Sequence, residues 1–492
     1  MPSGHTTKLL LSTGVACLGS LQYGYHMAEL NAPESVLSCR DNIDGPGPSW
    51  FIDHGYSPCV PLDSSEIGLV TSIFSIGGLI GSMIASPLSD KLGRKNSSFF
   101  NTSFFIIGSL LETFSNNKSR LVFGRFISGL GAGSSIVNTP LFISEIATND
   151  SKGFLGSLNQ FSMNVGILLT QLLAVRWANT SQWRYLLFMG FLIAAANIVG
   201  LLFINESPKW LVQHNKIDLA KKSLRDLRHP DDYSDEDVSN EISQWVSEIS
   251  RSTVAMPTIE SESLLPSSSD DPIEFAPKPS NITILQYLTS PEYYNSRLIV
   301  SIIMVGQQLC GINSIIFYGV SIISFLFPQH AVSLNCAISF VNVMVTYVTA
   351  TIVDRAGRRP LLIGSISVMG IACLITVHGI VGEHSYLTVF AIFLYIAAFA
   401  MGLGPIPFLL ISEVTQLQAT SVAQSFGTVL NWVATFLIGY LFPILHTKLG
   451  GYVFGIFGIS CAIVGISVWY LFPETKGKKN YGEIFGVMTR LD

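Results

Sequence analysis

The chain has 492 residues, of which 49% are hydrophobic and only 12% are charged. Soluble globular domains carry about a quarter charged residues, so this composition excludes that class and indicates a protein of the lipid bilayer. The formal net charge of -5 says little about partners, and we expect no nucleic acid among them.

Uncharged apolar stretches that are long enough to cross a hydrocarbon core, which takes roughly 20 helical residues, follow one another along the chain. The first half contains six, at 9–28, 67–89, 96–111 (continuing past Glu112), 126–144, 154–175 and 185–205. The second half contains 298–353, 360–382, 385–412, 414–447 and 449–473, and the sequence FLFPQHAVS at 325–333 divides the longest. The chain is therefore predicted to be an all-α membrane protein with twelve transmembrane helices.

Lys and Arg are concentrated in the loops that a twelve-helix arrangement places on the same side as both termini. Because cytosolic loops are enriched in these residues, we expect cytosolic termini. The predicted domains are a six-helix bundle at 1–208, a cytosolic linker at 209–292, a second six-helix bundle at 293–475 and a cytosolic tail at 476–492.

The linker is the only long polar stretch. Its first part has apolar residues at helical spacing and predicts short surface helices, whereas its second part is rich in Ser, Pro and acidic residues and predicts disorder. Within it, Glu260, Leu264 and Leu265 form an acidic dileucine of the kind that sorting adaptors bind. If this signal is used, we expect a vacuolar or lysosomal membrane, with the plasma membrane as the second choice.

Three motifs recur in the same order 264 to 268 positions later in the chain: DKLGRK with DRAGRR, PLFISEIA with PFLLISEVT, and NESPKWL with FPETKGK. They predict a duplicated six-helix unit whose copies are related by an axis along the membrane normal, with a site between them. At the predicted cytosolic helix ends, acids and cations lie side by side and are expected to form an inner gate, with Asp90 beside Arg94, Glu145 beside Lys152, and Asp354 beside Arg358 and Arg359. The remaining gate candidates are Glu206 and Glu413.

Together these motifs, with YGYHMAELNAPE, GRFISGLGAG, QQLCGINSIIFYG and GLGPIPF, resemble the sugar porter family of the major facilitator superfamily over nearly the whole chain. Within that family the resemblance includes fungal vacuolar-type and facilitative hexose transporters. It implies the major facilitator fold and transport of a monosaccharide, most simply glucose or another hexose, by alternating access. It also implies that the chain is not an enzyme and needs no cofactor or metal.

A hexose presents hydroxyls that donate and accept together, so its site requires side-chain amides and an aromatic face. Amides are costly inside hydrocarbon unless something satisfies them. The resemblance places the following residues on the family's sugar-contacting positions: Gln160, Gln307, Gln308, Asn313, Asn342, Asn431 and, as aromatic surfaces, Trp432 and Phe408, the last where the family usually has tryptophan. Gln307 and Asn313 would face different directions on a straight helix, so a break at Gly311 is expected, and GLGPIP at 402–407 predicts a second one.

His26 occupies a position at which proton-driven family members have an aspartate that pairs with an arginine, here Arg125, and at which facilitators usually have asparagine. Three roles remain open. In the first, a neutral His26 accepts a hydrogen bond from Arg125 and the protein is a uniporter. In the second, an acidic lumen charges His26, and Glu29 accepts a proton or pairs with Arg125. In the third, His26 only packs and Glu29 is an interfacial charge. The alternatives at the level of function are a proton-coupled sugar, inositol or disaccharide symporter and a sugar receptor that does not transport.

Cys39 and Cys59 lie in the long first outer loop, in an oxidising compartment, and are predicted to form a disulfide. Glycosylation sequons at Asn117 and Asn179 face the same side. Beyond the bilayer, the sugar, protons and a sorting adaptor, we expect no partner and a monomeric protein.

Overall fold

The structure, a computed structural model, describes residues 6–40, 47, 49–148, 152–228, 234–254, 282–416, 419–476 and 484–485; within these ranges, only the backbone is described at 152–154, 247–254 and 354–355. In these ranges every regular secondary-structure element is a helix. The acidic dileucine at 260–265 lies outside the described residues.

Six long helices occupy the first part of the chain. They are α1 (Thr7–Ala28), then, after the short outer helices α2 (Glu34–Leu37) and α3 (Trp50–Asp53), α4 (Ser64–Leu92), α5 (Arg94–Thr113), α6 (Lys118–Ile146), α7 (Lys152–Trp177) and α8 (Trp183–Leu202). Local sequence sets several of their ends: Asp63 and Glu66 form a capping box at the start of α4, and the Asn117 side chain caps α6. Between α2 and α4, Cys39 and Cys59 form a disulfide with their Cα atoms 5.3 Å apart.

Short helices follow in the polar segment, namely α9 (Pro208–Gln213), α10 (Ile217–Leu227), α11 (Asp235–Val254) and α12 (Ile284–Thr289). Trp210, Leu224 and Ile242 are buried together where α9, α10 and α11 pack. The prediction of short amphipathic helices in this segment is therefore confirmed for its described part.

The second set of spans contains two broken helices. It consists of α13 (Tyr294–Leu309) with α14 (Ile312–Ser324), α15 (Ala331–Ala356), α16 (Arg358–Val381), α17 (Ser385–Met401) with α18 (Ile406–Glu413), α19 (Thr420–Leu449) and α20 (Val453–Leu471). Gly311 separates α13 from α14 with φ 101°, a left-handed conformation that favours glycine. Gly402 to Pro405 separate α17 from α18. Both predicted breaks are confirmed, as is the division near 325–333.

Nine helical stretches of the described chain are long and apolar enough to cross a membrane. That set joins α19 to α20 as Thr420–Leu471 and leaves out α1 and α5, which carry more polar residues; counting these helices separately gives the twelve predicted spans. The boundaries differ most at two helix starts: α6 begins at Lys118 and not at 126, and α19 begins at Thr420 and not at 414.

The first six and last six spans contact each other mainly through α4 with α19 and α7 with α15, and also through α1 with α14. Small residues make the closest approach possible. A Cβ atom added at Gly78 would lie 2.6 Å from the Trp432 ring, and one added at Gly68 would lie 2.8 Å from the Tyr440 carbonyl oxygen. Glycines in α4 therefore let α19 approach its backbone.

Candidate functional site

The two helix breaks lie against each other, and Gln307 joins them. Its Nε2 atom donates to the carbonyl oxygens of Leu403 at 2.7 Å and Gly404 at 3.1 Å. A break leaves carbonyl groups without their intrahelical partners, and such groups are costly inside a membrane. Gln307 at the end of α13 thus supplies the donor that the break between α17 and α18 requires.

Four more polar side chains continue from Gln307 as one network. Asn431 donates to Gln307 Oε1 at 2.8 Å, Gln308 donates to Asn431 Oδ1 at 3.2 Å, and Asn313 donates to Gln308 Oε1 at 2.6 Å and to Thr435 Oγ1 at 3.1 Å. The break at Gly311 is what brings Asn313 within reach of Gln308. Four of the predicted amides therefore meet at one place, held by each other.

Asn342 and Gln160 belong to a different part of the interface between the halves. Asn342, on α15, accepts from Thr346 Oγ1 at 3.5 Å, and Thr346 in turn accepts from Asn164 of α7 at 2.8 Å. Gln160 lies one turn before Asn164 on α7 and is partly exposed. Asn164 and Thr346 were not predicted from the sequence, although Asn164 follows Gln160 at helical spacing.

Trp432 is held by aromatic side chains of the first half. Its ring makes edge-on contacts with Tyr23 at 5.8 Å and Phe74 at 6.3 Å between centroids. Phe408 lies on α18 and is half-buried against the apolar core. The two predicted aromatic surfaces therefore occupy different environments, and only Trp432 bridges the halves.

Arg125 is fully buried and pairs with Glu29, not with the His26 side chain. Its Nη1 atom donates at 2.6 Å both to Glu29 Oε1 and to the backbone carbonyl of His26. His26 Nδ1 lies 2.9 Å from Glu29 Oε2, and the imidazole stacks on Phe105. The hypothesis that the His26 side chain accepts from Arg125 is wrong in this structure, because Arg125 donates to Glu29 and to the His26 backbone instead. The interfacial placement of Glu29 is also wrong, because its side chain is fully buried.

Glu112 of α5 is a second buried carboxylate in this cluster, and sequence reasoning missed it. Its Oε1 accepts from Ser128 at 2.6 Å, and its Oε2 lies 4.0 Å from Arg125 Nη1. From the sequence it is predicted to lie inside the third span, with no role assigned to it. The signal that could have found it is an isolated acid within the apolar sequence IIGSLLETF.

His26, Glu29 and Glu112 each offer one ligand atom within 4.8 Å of the other two, which is a spacing that could hold a metal ion. However, the guanidinium of Arg125 already contributes a positive charge to the two carboxylates. A divalent cation would leave the buried cluster with an excess positive charge, which is unfavourable in a low-dielectric environment. The chemistry of the cluster suits a proton better than a metal.

The charged residues at the other end of the bundle form the same arrangement twice. Arg94 makes two 2.8 Å hydrogen bonds to the Glu145 carboxylate and a third, at 3.2 Å, to Asp90. Glu206 accepts from the backbone N–H groups of Arg94 and Lys95, at the start of α5. A carboxylate at a helix N-terminus is favoured by the helix dipole and the free N–H groups.

In the second half, Arg358 donates to Glu413 at 3.0 Å, and Glu474 accepts from the backbone N–H groups of Arg358 and Arg359. Gly93 and Gly357 precede the two helices with φ of 96° and 90°. Burial raises the pKa of Glu206. Burial also acts to raise the pKa of Glu474, but backbone hydrogen bonds lower it overall.

These contacts add partners that the sequence did not predict. Glu145 binds Arg94, Glu413 binds Arg358, and Glu474 binds the backbone N–H groups of Arg358 and Arg359. The predicted pairs of Glu145 with Lys152 and of Asp354 with Arg358 and Arg359 involve side chains that lie outside the description. The added partners follow from chain geometry: the glycine turn directs the first arginine of each helix back toward the preceding span and the long helix beside it.

Comparison with known proteins identifies the fold and the family. A family model described as "Sugar (and other) transporter" matches residues 13–482. "Probable metabolite transport protein YBR241C" of Saccharomyces cerevisiae is 46% identical over 486 residues, which are 98% of this chain and 95% of that protein. "Vacuolar protein sorting-associated protein 73" of the same yeast is 39% identical, over 96% of this chain and 94% of that protein.

"Solute carrier family 2, facilitated glucose transporter member 1" of Gallus gallus is 30% identical, over 96% of this chain and 92% of that protein. A solved structure described as "Partially occluded inward open conformation of the xylose transporter XylE from E. coli" has a TM-score of 0.74 and 21% identity, over 96% of this chain and 100% of that chain. The fold is thus the twelve-helix fold that the sequence predicted. The chain is a multi-pass membrane transporter, not an enzyme, and it belongs to the sugar porter family of the major facilitator superfamily.

Proposed function

We propose that this protein transports a monosaccharide, most simply glucose or another hexose, by alternating access between the two halves. The observation that carries the proposal is the amide network at the two helix breaks. Gln307, Gln308, Asn313 and Asn431 exchange hydrogen bonds with each other inside the second half. Such amides can exchange a mutual hydrogen bond for one to a sugar hydroxyl at little net cost.

A substrate panel on purified protein in proteoliposomes tests this. We expect saturable, stereoselective uptake of a hexose, and we expect Gln308→Ala and Asn313→Ala each to weaken the apparent affinity about tenfold, the equivalent of one hydrogen bond. Leu309→Ala changes a neighbouring side chain that is 39% exposed and serves as the matched control. Absence of stereoselective uptake of any monosaccharide, including a result in which only inositol or a disaccharide is taken up, would contradict the proposal.

Facilitated diffusion is the first candidate mode, and the relative named as a facilitated glucose transporter supports it. The buried cluster favours a second candidate, proton-coupled transport. Glu29, Glu112 and Arg125 would together carry one excess negative charge if both acids were ionised and His26 were neutral, and all four side chains are at most 1% exposed. Since an unbalanced buried charge is costly, the cluster is expected to hold one proton.

Uptake with and without an acid-outside pH gradient separates the two modes. If transport is coupled, the gradient drives accumulation above equilibrium, and Glu112→Gln abolishes that accumulation because the cluster is then neutral without a bound proton. The variant should still exchange labelled sugar across the membrane, which controls for folding. Uptake that only equilibrates, with or without the gradient, supports the uniporter.

We also propose residence in the vacuolar or lysosomal membrane, with cytosolic termini and the dileucine of Glu260, Leu264 and Leu265 as the sorting signal for an adaptor. The relative named as vacuolar protein sorting-associated supports this choice over the plasma membrane. A fluorescent fusion should mark the vacuole, and replacing both leucines by alanine should move it to the plasma membrane. An unchanged distribution of the variant would show that the signal is not used.

A further inference from the structure

A small cavity lies between the halves, toward the end of the spans opposite the Arg94 and Arg358 clusters. Its polar lining consists of Asn31, after α1, Gln171 on α7, and Asn335, Ser339 and Asn342 on α15. Isoleucines from α7, α14, α15 and α17 complete the wall. About 20 Å³ is open to water, which is enough for roughly one molecule and far too little for a sugar.

Gln171 is fully buried, yet among the described residues neither its Nε2 nor its Oε1 has a hydrogen-bond partner. Leaving both ends of a buried amide unpaired costs on the order of 1–3 kcal/mol per group. A side chain that packs equally well without polar atoms would avoid this cost. The amide therefore indicates a polar partner in the cavity, which is about one water molecule when the cavity is closed and a larger polar ligand when it is enlarged.

Gln171 and Asn335 lie on the same helices as Gln160 and Asn342 of the proposed sugar site, nearer the outer end. Gln171 follows Gln160 by about three helical turns, and Asn335 precedes Asn342 by about two, so each pair lies on nearly the same helix face. The two rows approach the outer end from opposite halves. Polar groups thus continue from the proposed site toward the outer opening.

Asn31 closes this space. Its Nδ2 donates to the Ile316 carbonyl at 2.7 Å, and its Oδ1 accepts from the Val320 N–H at 2.9 Å. These two groups flank Tyr318, whose φ of -131° departs from the helix. Gly319 lies against Asn335, since an added Cβ would be 2.4 Å from Asn335 Oδ1. The outer half of α14 is therefore the wall that must move to enlarge the cavity.

We propose that Gln171 and Asn335, with Ser339, form an outer subsite for the hydroxyl groups of a monosaccharide, which the sugar occupies when α14 leaves Asn31 and before it reaches the amide network. The subsite rests on the proposed function, because it needs a polyhydroxyl substrate that moves along this path. In the outer-closed state, the subsite has shrunk to a cavity with room for about one water molecule.

A series of monodeoxy analogues of the transported sugar tests the subsite in proteoliposomes. Gln171→Ala is expected to lower the entry efficiency of the parent sugar, measured as Vmax/KM for uptake from the outer side, about tenfold, which corresponds to the loss of one hydrogen bond. For the analogue that lacks the hydroxyl bound by Gln171, the same substitution should have almost no further effect. Asn335→Ala should show this pattern with a hydroxyl of its own.

Leu172→Ala, at a neighbouring position that is 54% exposed, is the matched control and should transport every analogue as the unsubstituted protein does. A purely structural role for Gln171 would lower entry of all analogues by one common factor, and that result, like an unchanged efficiency throughout, would overturn the subsite. Failure of the unsubstituted protein to transport any monosaccharide would instead overturn the proposed function.

Discussion

Asn31 replaces a hydrogen bond that α14 loses at Tyr318. In a regular helix the N–H of Val320 would bind the carbonyl of Ile316, and here the amide of Asn31 binds both groups from a distant part of the chain. One side chain thus holds the outer ends of the two halves together. The contact is strong in the membrane because no water is present there to form hydrogen bonds with the freed backbone groups.

Asn31→Ala is expected to favour the outer-open state by about tenfold or more, since two hydrogen bonds of about 1 kcal/mol each are lost. The measurement is the rate at which a membrane-impermeant maleimide labels a cysteine placed at Ser339, which the closed state buries. Asn31→Asp keeps the acceptor for Val320 but loses the donor for Ile316, so its rate should lie between the two. Equal rates for all three would show that Asn31 does not hold the closed state.

At the scale of helices, the two broken spans act as a pair. α13 and α14 meet at Gly311, and the amide at the end of α13 satisfies the carbonyls freed between α17 and α18. The break between α17 and α18 therefore depends on α13 for its hydrogen bonds. This explains how non-helical backbone is tolerated at this depth: it is buried in protein and faces polar groups.

Gly311→Ala is expected to destabilise the protein strongly. The left-handed φ alone costs on the order of 1–3 kcal/mol for a residue with a side chain, and the new Cβ would lie 2.5 Å from the Phe457 ring. Thermal unfolding of the detergent-solubilised protein measures this. Gly364→Ala, on α16, meets nothing within 4 Å and should leave the midpoint unchanged or raise it, whereas a Gly311 variant as stable as Gly364→Ala would refute the expectation.

The repeated carboxylate arrangement at the inner helix ends predicts unequal effects in the two halves. Arg94→Lys loses the two-point contact with Glu145, where the side chains are only 4% and 7% exposed, whereas the Arg358 and Glu413 side chains are 15% and 26% exposed. Lysine cannot reproduce paired guanidinium bonds. We therefore expect Arg94→Lys to lower the thermal midpoint more than Arg358→Lys, and the reverse order would contradict this reasoning.

For the whole molecule, the distribution of Lys and Arg predicts that the Arg94 and Arg358 clusters face the cytosol and the Cys39–Cys59 loop faces the lumen or the exterior. An epitope inserted at Gly55, a turn with open space around its Cα, should be protected from protease in intact vacuoles. One inserted at Asn215, between α9 and α10, should be cleaved. Protection of the Asn215 epitope would contradict the predicted topology and indicate the reverse orientation.

The sequence by itself determined the twelve spans, the duplication, the family and the helix breaks at Gly311 and 402–407. The spans and the breaks follow from local composition, periodicity and glycine and proline stereochemistry, which act within a few residues. The duplication follows from motifs that recur along the chain, and the family from the resemblance that those motifs carry. The tertiary structure alone decided which polar groups meet. The pairs of Arg125 with Glu29, of Arg94 with Glu145 and of Asn31 with α14 join residues 51 to 289 positions apart, and no local pattern encodes such a pairing. The roles of Glu112 and Gln171 also became clear only in the tertiary structure, because the role of a polar residue in an apolar helix depends on the groups that pack beside it.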